Sequence, residues 1–401
     1  MKQKQINETS WKEVELGDKN YFEIIGSGIK KFEGIKDFLS TKCIKYDKIK
    51  KIECQISFNE RPSRANMQPQ RDSIWFAKMQ GTIKTYLFSD KNPEEIKKYI
   101  LSTGFSGIRT NNLIYPKYLQ FYFLTKEFNK NKDVECIGGT QKAINNSKIA
   151  KLKISLPFTL EGKPDITKQK QIATILENAK KLKDKNKIII EDLDEYLKSV
   201  FYEMFLKEKG KFEEIELKKL CDIRRGASPR PIKEYIGKDV PWIKIGDGTK
   251  GDDLFITKTK EKIKKEGVDK SVLLKEGTLI FANCGVSLGF SRILKISGCI
   301  HDGWLAFENL SKKINPLYLL KFINSKTNYF RQSAPDGTQP NLNIGIMSEV
   351  KIPLPPITLQ EKFASIVKQV EKTKEKLKQN EKALEELFNS LMQKVFLGEL
   401  I

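Results

Sequence analysis

The strongest constraint on the fold is that the chain is written twice. Lys153-Ile154-Ser155-Leu156-Pro157 recurs as Lys351-Ile352-Pro353-Leu354-Pro355, and Gly139-Thr140-Gln141 recurs as Gly337-Thr338-Gln339, both at a shift of 198 positions. Tyr115-Pro116-Lys117-Tyr118-Leu119 is echoed by Asn315-Pro316-Leu317-Tyr318-Leu319. Downstream the shift falls to 191: Ile166-Thr167-Lys168-Gln169 matches Ile357-Thr358-Leu359-Gln360, and Ala173 and Ile175 match Ala364 and Ile366. The first copy carries seven extra residues around Glu161-Gly162-Lys163. Near the starts, Trp11, Val14 and Leu16 face Phe212, Ile215 and Leu217. A repeat of roughly 200 residues in a chain of 401 means one folding unit used in tandem, with ample length for two or more cores.

Each copy has two parts. Residues 11–150 and 211–350 mix short β-type runs (Ser73 to Ala77, Gly81 to Phe88, Thr278 to Ala282) with Gly, Asn and Pro turns. Helical stretches such as Pro93 to Leu101 and Pro316 to Ser325 open on proline, which suits a first helical turn. This predicts an α/β (α+β) globule in each copy. The second part is a long helix. In 166–206 the apolar residues Ile172, Ile175, Leu176, Ala179, Leu182, Ile189, Leu193, Tyr196, Val200 and Met204 step mostly by three or four. In 357–397 Phe363, Ile366, Val370, Leu377, Leu384, Leu387, Leu391 and Val395 do the same. Such stripes, with Lys and Glu on the other faces, predict a coiled coil. Asn186 and Asn380 interrupt the stripes, where a polar residue can fix register. Leu156-Pro157 and Pro353-Leu354-Pro355-Pro356 end the preceding strands and set off each helix. The expected architecture is two globules joined by two long helices paired as an antiparallel coiled coil, a pseudo-two-fold tandem duplication. The segments are 1–152, 153–208, 209–350 and 351–401.

Charge narrows the partners. Lys and Arg number 73 against 51 Asp and Glu, a formal net charge of +22, which points to a polyanion, most simply nucleic acid. A heat-adapted composition would raise Glu in step with Lys, and here it has not. Residues 1–150 carry +10 and 201–350 carry +7, against +3 and +2 for 151–200 and 351–401, so the surplus belongs to the globules. Catalytic signatures are scarce. Cys43, Cys54, Cys136, Cys221, Cys284 and Cys299 form no Cys-x-x-Cys pair, predicting reduced and mostly buried thiols rather than a metal site. The single histidine, His301, leaves little room for histidine-based catalysis, although Asp302 follows it. There is no Walker-type loop, and Gly26-Ser27-Gly28 lacks the third glycine of a dinucleotide fingerprint. Pro335-Asp336 followed by Glu349-Val350-Lys351 is similar to a metal-dependent nuclease arrangement, two carboxylates for Mg²⁺ with a lysine for the attacking water. The duplication weakens it, because Asp336 falls on Gly138 and Glu349 on Lys151. With no long apolar run and no signal-like start, the expected compartment is the cytoplasm, with no membrane.

Taken together, two dissimilar globules, each closed by a Leu-Pro segment, then Ile-Thr-x-Gln and a long Lys/Glu-rich helix, resemble the specificity (S) subunits of type I restriction–modification systems. Val200-Phe201-Tyr202-Glu203-Met204-Phe205 and the stretch Leu391 to Leu400 are similar to the family's helix ends. Pro241 to Asp247, Gly277 to Ala282 and Arg61 to Asn66 are similar to its domain segments. The resemblance covers nearly the whole chain and rests on order and duplication. It implies two target-recognition domains, each reading one half of an asymmetric split site in double-stranded DNA. It also implies helices that space the halves and dock two modification (methyltransferase) subunits, with restriction/translocase subunits joining them. It implies no catalysis and no cofactor in this chain, S-adenosylmethionine residing in the modification subunits. The chain departs from its own repeat after Gly-Thr-Gln, with Lys142-Ala143-Ile144-Asn145 in one copy and Pro340-Asn341-Leu342-Asn343 in the other.

Phosphate contacts position a protein on DNA, and base-edge contacts from Arg, Lys, Asn, Gln or Ser carry sequence. In copy one the candidates are Arg61, Arg64, Asn66, Gln68 and Arg71, a turn-rich cluster suited to purine edges. In copy two, Arg224, Arg225 and Arg230 flank Gly226 and Pro229 and suit phosphate clamping. Lys78 and Lys244 follow aromatic strand segments and reach toward the backbone. Asn283 and Ser287 lie near Gly285. Gln141, Gln339 and Asn341 read bases or brace the hinge at the helix start, and bracing is the preferred role. Trp75, Trp242 and Trp304 lie in apolar runs and are expected in the core. Three rivals stand beside this reading. One is a nuclease using Asp336 and Glu349. Another is a structural coiled-coil adaptor. The third is the specificity subunit of a related fused restriction–methylation enzyme.

Overall fold

The computed structural model describes residues 10–208, 210–249, 254–285, 287–333 and 341–399. The chain packs into two units, Met1–Ile188 with Lys378–Ile401, and Ile189–Leu377. The linear segments read from the sequence therefore cut across the compact units, because each unit takes part of both long helices.

The first unit holds two four-stranded sheets. One runs Phe22–Ile25, Phe105–Thr110, Ser73–Ala77, Thr85–Phe88, all antiparallel. The other runs Cys54–Ile56, Lys36–Leu39, Tyr99–Ser102, Ala65–Met67, and its central pair is parallel. An antiparallel ribbon, Ser10–Glu15 with Lys153–Phe158, closes the unit. The second unit repeats this order. Asp222–Arg225, Trp304–Glu308, Leu279–Ala282 and Ser291–Leu294 form the antiparallel sheet, extended by Phe255–Ile256. Glu261–Ile263, Val240–Ile243, Gly298–Ile300 and Val272–Leu274 form the other, again with a parallel centre and extended by Ile236–Gly237. Glu214–Glu216 with Lys351–Pro353 is the closing ribbon. The duplication seen in sequence is thus a duplication of strand order.

Two expected elements are shorter than expected. The helix at 93–101 ends at Lys98, and Tyr99–Ser102 is a central strand. Tyr99-Ile100-Leu101 is a continuous apolar run that a sheet buries on both faces, which outweighs the helical lead-in. The run from Gly81 becomes a strand only at Thr85, since Gly81 takes a positive φ in a turn.

The same side chains tie down each helix start. Gln169 is fully buried; its Oε1 accepts from the Tyr115 N–H at 2.8 Å and its Nε2 donates to the Leu113 carbonyl at 3.2 Å. Gln360, also fully buried, accepts from the Asn315 N–H at 2.8 Å and donates to the carbonyls of Lys313 at 3.0 Å and Pro355 at 2.7 Å. The hydroxyls of Tyr118 and Tyr318 donate to the carbonyls of Ser155 and Pro353 in the closing ribbons. The repeated Ile-Thr-x-Gln and Tyr positions are therefore hydrogen-bonding clamps.

The long helices are Ile166–Phe201, continued by a π-helical turn Tyr202–Leu206, and Ile357–Phe396. They run antiparallel in each unit. In the first, Lys183 pairs with Glu385; in the second, Lys374 reaches Asp194 at 2.7 Å. The helix ends complete the cores. In the first unit Phe396 packs edge-on against Tyr118 and Tyr122, both with ring centroids 5.1 Å away. In the second, Phe205 sits 4.8 Å from Tyr318, beside Phe201 and Phe363.

The apolar stripes differ in detail from expectation. Asn186 is buried, but Asn380 is exposed, and beyond Gln360 at its start the second helix buries Lys374 instead. Ile175, Leu182, Ile189 and Tyr196, seven residues apart, are exposed. A two-helix pair buries only a narrow seam, and these four lie on the line beside it. Trp75, Trp242 and Trp304 are core residues. All six cysteines are free; Cys43, Cys136, Cys221 and Cys299 are buried, Cys284 is half-buried and Cys54 exposed.

Candidate nucleic-acid interface

In the first unit the arginine-rich stretch leads into the edge strand Ala65–Met67. Arg61 lies over the Phe58 ring at 4.1 Å and donates to the Phe58 carbonyl. Arg64 pairs with Glu53 and stacks 5.3 Å from Phe38, with half its side chain exposed. These contacts hold the two guanidinium groups against aromatic rings. The amide positions next to them serve the loop at 26–30: the Asn66 carbonyl accepts from the Gly28 N–H at 2.8 Å, and Gln68 Oε1 accepts from the Lys30 N–H at 3.1 Å. Arg71 follows the strand and pairs with Asp90 at 3.2 Å. Lys78 is half-buried, and burial lowers the pKa of its ammonium. Gln141 is exposed in the turn after Gly138, which takes a positive φ and lies so close to the Gln141 carbonyl that a Cβ there would collide.

The second unit gathers more charge at one place. Its strands Asp222–Arg225, Val240–Ile243 and Gly298–Ile300 run to the turn His301-Asp302-Gly303. The Asp302 carboxylate accepts from Ser228 Oγ at 2.8 Å, lies 2.9 Å from His301 Nε2 and faces Arg230 at 3.7 Å; its main-chain carbonyl accepts from Arg225 Nε at 3.0 Å. His301 Nδ1 accepts from the Gly303 N–H at 3.0 Å, which puts the proton on Nε2. Lys244 pairs with Glu261 at 2.7 Å and lies 4.4 Å over the Trp242 ring, which in turn sits 5.7 Å from His301. Gly226 lets the next loop lie directly on the His301 carbonyl, where a Cβ would collide. Burial lowers the His301 pKa below its ordinary 6.5; Asp302 opposes this, while Lys244, Arg230 and Arg225 add to it. Burial works to raise the Asp302 pKa, but the Ser228 hydrogen bond, His301 and Arg230 outweigh it and hold the carboxyl below 3.8.

Of the residues singled out in this copy, Arg225, Arg230 and Lys244 come together. Arg224 points to the opposite face of its strand, as alternation demands, and pairs with Glu308 at 3.0 Å. Asn283 is fully buried, and its Nδ2 donates to Asn341 Oδ1 at 2.9 Å; its main chain bonds Gly303 and Leu342. That pair braces the segment before the helix. Ser287 is half-buried after the turn at Gly285. Gln339 and Asp336 lie outside the described residues, and Glu349 is exposed at the end of the short helix Ile344–Ser348. Among the described residues no group of His, Cys, Asp and Glu is arranged to hold a metal ion. The residues the sequence reading left out of the DNA-binding set are Asp302, His301 and Ser228. The lone histidine beside an acid was their only signal.

The geometry has relatives. A family model described as "Type I restriction modification DNA specificity domain" matches twice, over residues 9–194 and 209–386. The MjaIX type I restriction enzyme specificity subunit of Methanocaldococcus jannaschii is 25% identical over 189 residues, 45% of this chain and 43% of that one. The match thus spans less than half the length of that relative. A chain solved in work on complex assembly and conformational transition of the type I R-M system is 18% identical, with TM-score 0.66 over 97% of this chain and 98% of that one. The type I restriction-modification S subunit from M. genitalium is 16% identical, with TM-score 0.55 over 98% of each chain. At these identities the solved structures speak for the fold alone. The two family matches together take in most of the sequence, one on each copy of the repeated unit, and the chain belongs to the type I restriction modification DNA specificity domain family.

Proposed function

We propose that this chain is the DNA sequence-specificity subunit of a type I restriction–modification complex. Each unit binds one half of a split, asymmetric double-stranded site, and the paired helices carry the two halves and dock the modification and restriction subunits. The observation that carries this reading is one strand order used twice with different side chains at corresponding places. Where the first unit offers Ser102 at the end of its central strand and Thr103 after it, the second offers His301 and Asp302. A duplicated scaffold with divergent surface residues suits two different half-sites. The basic surplus in the globular segments suits the phosphates. In this reading the chain performs no chemistry; methyl transfer belongs to partner subunits that hold S-adenosylmethionine. No described helix is long and apolar enough to cross a membrane. In this reading the chain works on DNA in the cytoplasm.

The test is to assemble the chain with its modification subunits and map methylated sites by methylome sequencing. A bipartite motif that depends on this chain supports the reading. Replacing 211–350 with another member's domain is expected to change one half-site only, and a change in both would refute it. The adaptor rival predicts no sequence preference at all. The nuclease rival predicts magnesium-dependent cutting by the purified chain, lost in Asp336→Ala.

A further inference from the structure

One turn in the second unit does more than close a strand pair. Asp302 is held by groups from two other segments: Arg225 at the end of a sheet strand, and Ser228 and Arg230 in the loop that follows it. It also faces its neighbour His301. A carboxylate here works against attraction of phosphate, since it cancels part of the positive field of Arg225, Arg230 and Lys244. Its benefit must therefore lie in orientation. Arg230 is three-quarters exposed, and among the described residues its ion pair is to Asp302. An unheld arginine samples many rotamers, whereas a base edge discriminates only when the guanidinium fork is presented in one plane.

The first unit supplies an internal control. Leu101 pairs with Leu39 there as Ile300 pairs with Ile243 here, and both turns end in glycine before the next strand, Gly104 before Phe105 and Gly303 before Trp304. Thr103 thus occupies the place of Asp302. The fold builds the same turn with a threonine at that place, so the carboxylate is not needed to build it.

We propose that Asp302 is a positioning residue that determines the base preference of the second half-site, by fixing Arg230, Ser228 and His301 relative to one another beside Arg225, which its main chain holds. This rests on the reading that the second unit binds DNA. The experiment is methylome mapping with the assembled complex carrying Asp302→Thr, the residue the first unit uses. Discrimination at one or more positions of the second half-site falls by roughly tenfold, the size expected when a base-reading arginine loses its fixed plane, while the first half-site keeps its motif. Thermal melting confirms that the variant folds. Ser228→Ala, which removes one tether and keeps the carboxylate, relaxes the same positions by a smaller factor and serves if Asp302→Thr does not assemble. A purely structural role would lower methylation of every site alike and leave the motif unchanged. The proposal is overturned if both variants keep second-half-site discrimination within twofold of the parent, or if the first half-site relaxes equally. A parent complex with no bipartite motif overturns the functional reading itself, and this proposal with it.

Discussion

Replacing Gln360 by Met tests whether the helix is held to its globule by hydrogen bonds rather than by packing alone. Methionine nearly matches glutamine in volume and keeps the stem buried, so the loss is chiefly polar. Three bonds go: the Asn315 N–H loses its acceptor, and the carbonyls of Lys313 and Pro355 lose a donor. A buried group left without its partner costs about 1–3 kcal/mol. The N–H has one hydrogen and no second choice, whereas each carbonyl has a spare lone pair and relaxes at the lower end. Set against the modest gain from an apolar side chain, the net cost is about 3 kcal/mol. Gln169→Met strands one N–H, that of Tyr115, and one carbonyl, that of Leu113, and the expected cost is about 2 kcal/mol. The assay is native-state hydrogen exchange by mass spectrometry, read on 313–325 and 357–370 for the first variant and on 113–123 and 166–176 for the second. A loss under about 1 kcal/mol in both, or a larger loss for Gln169 than for Gln360, would refute the bond-counting argument.

Three further outcomes follow from the packing and the charges. Ending the chain after Leu387 removes Phe388, Met392, Val395 and Phe396 from the first unit's core; exchange protection should collapse in 10–188 and persist in 210–377. The single histidine gives one imidazole Cε1–H signal in proton NMR, and its midpoint should lie below 6.5, the direction burial imposes, and fall further in Asp302→Thr, which removes the carboxylate that raises it. Burial opposes the charge on Lys374, but the carboxylates of Asp194 and Glu371 outweigh it and raise its pKa above 10.5. With the folded value raised, the stabilisation is complete below 10.5 and is lost as pH rises through the folded value, so Lys374→Met should flatten the alkaline fall in urea stability.

The parts of this fold legible in the sequence are those where both copies need the same residue. Gln169 and Gln360, Tyr118 and Tyr318, and the ribbon strands Lys153–Phe158 and Lys351–Pro353 repeat because each closes a globule onto its helix, and repetition reveals them without any account of their contacts. The long helices were legible from period, but which apolar residues lie inside was not. Ile175 and Leu176 look alike in a list of hydrophobic residues, and only the partner's line of approach makes one exposed and the other buried. The short strands were least legible: Tyr99–Ser102 follows a helical start, and its fate is decided by pairing with Lys36–Leu39, some sixty residues earlier.

The candidate interface inverts this logic. Residues that bind different half-sites must differ between copies, so repetition cannot find them. Type and turn context brought Arg225, Arg230 and Lys244 to notice, but the same filter also admitted Asn283, which is fully buried and bonded to Asn341. It passed over Asp302, since an acid is a poor candidate for contact with a polyanion. Once the strand order aligns the copies, the test becomes sharper. A polar position kept in both units, such as Gln169 and Gln360, is scaffold. A polar position that differs at the same turn, such as Thr103 and Asp302, is free of the scaffold's demands. Its chemistry then answers to whatever that one unit binds.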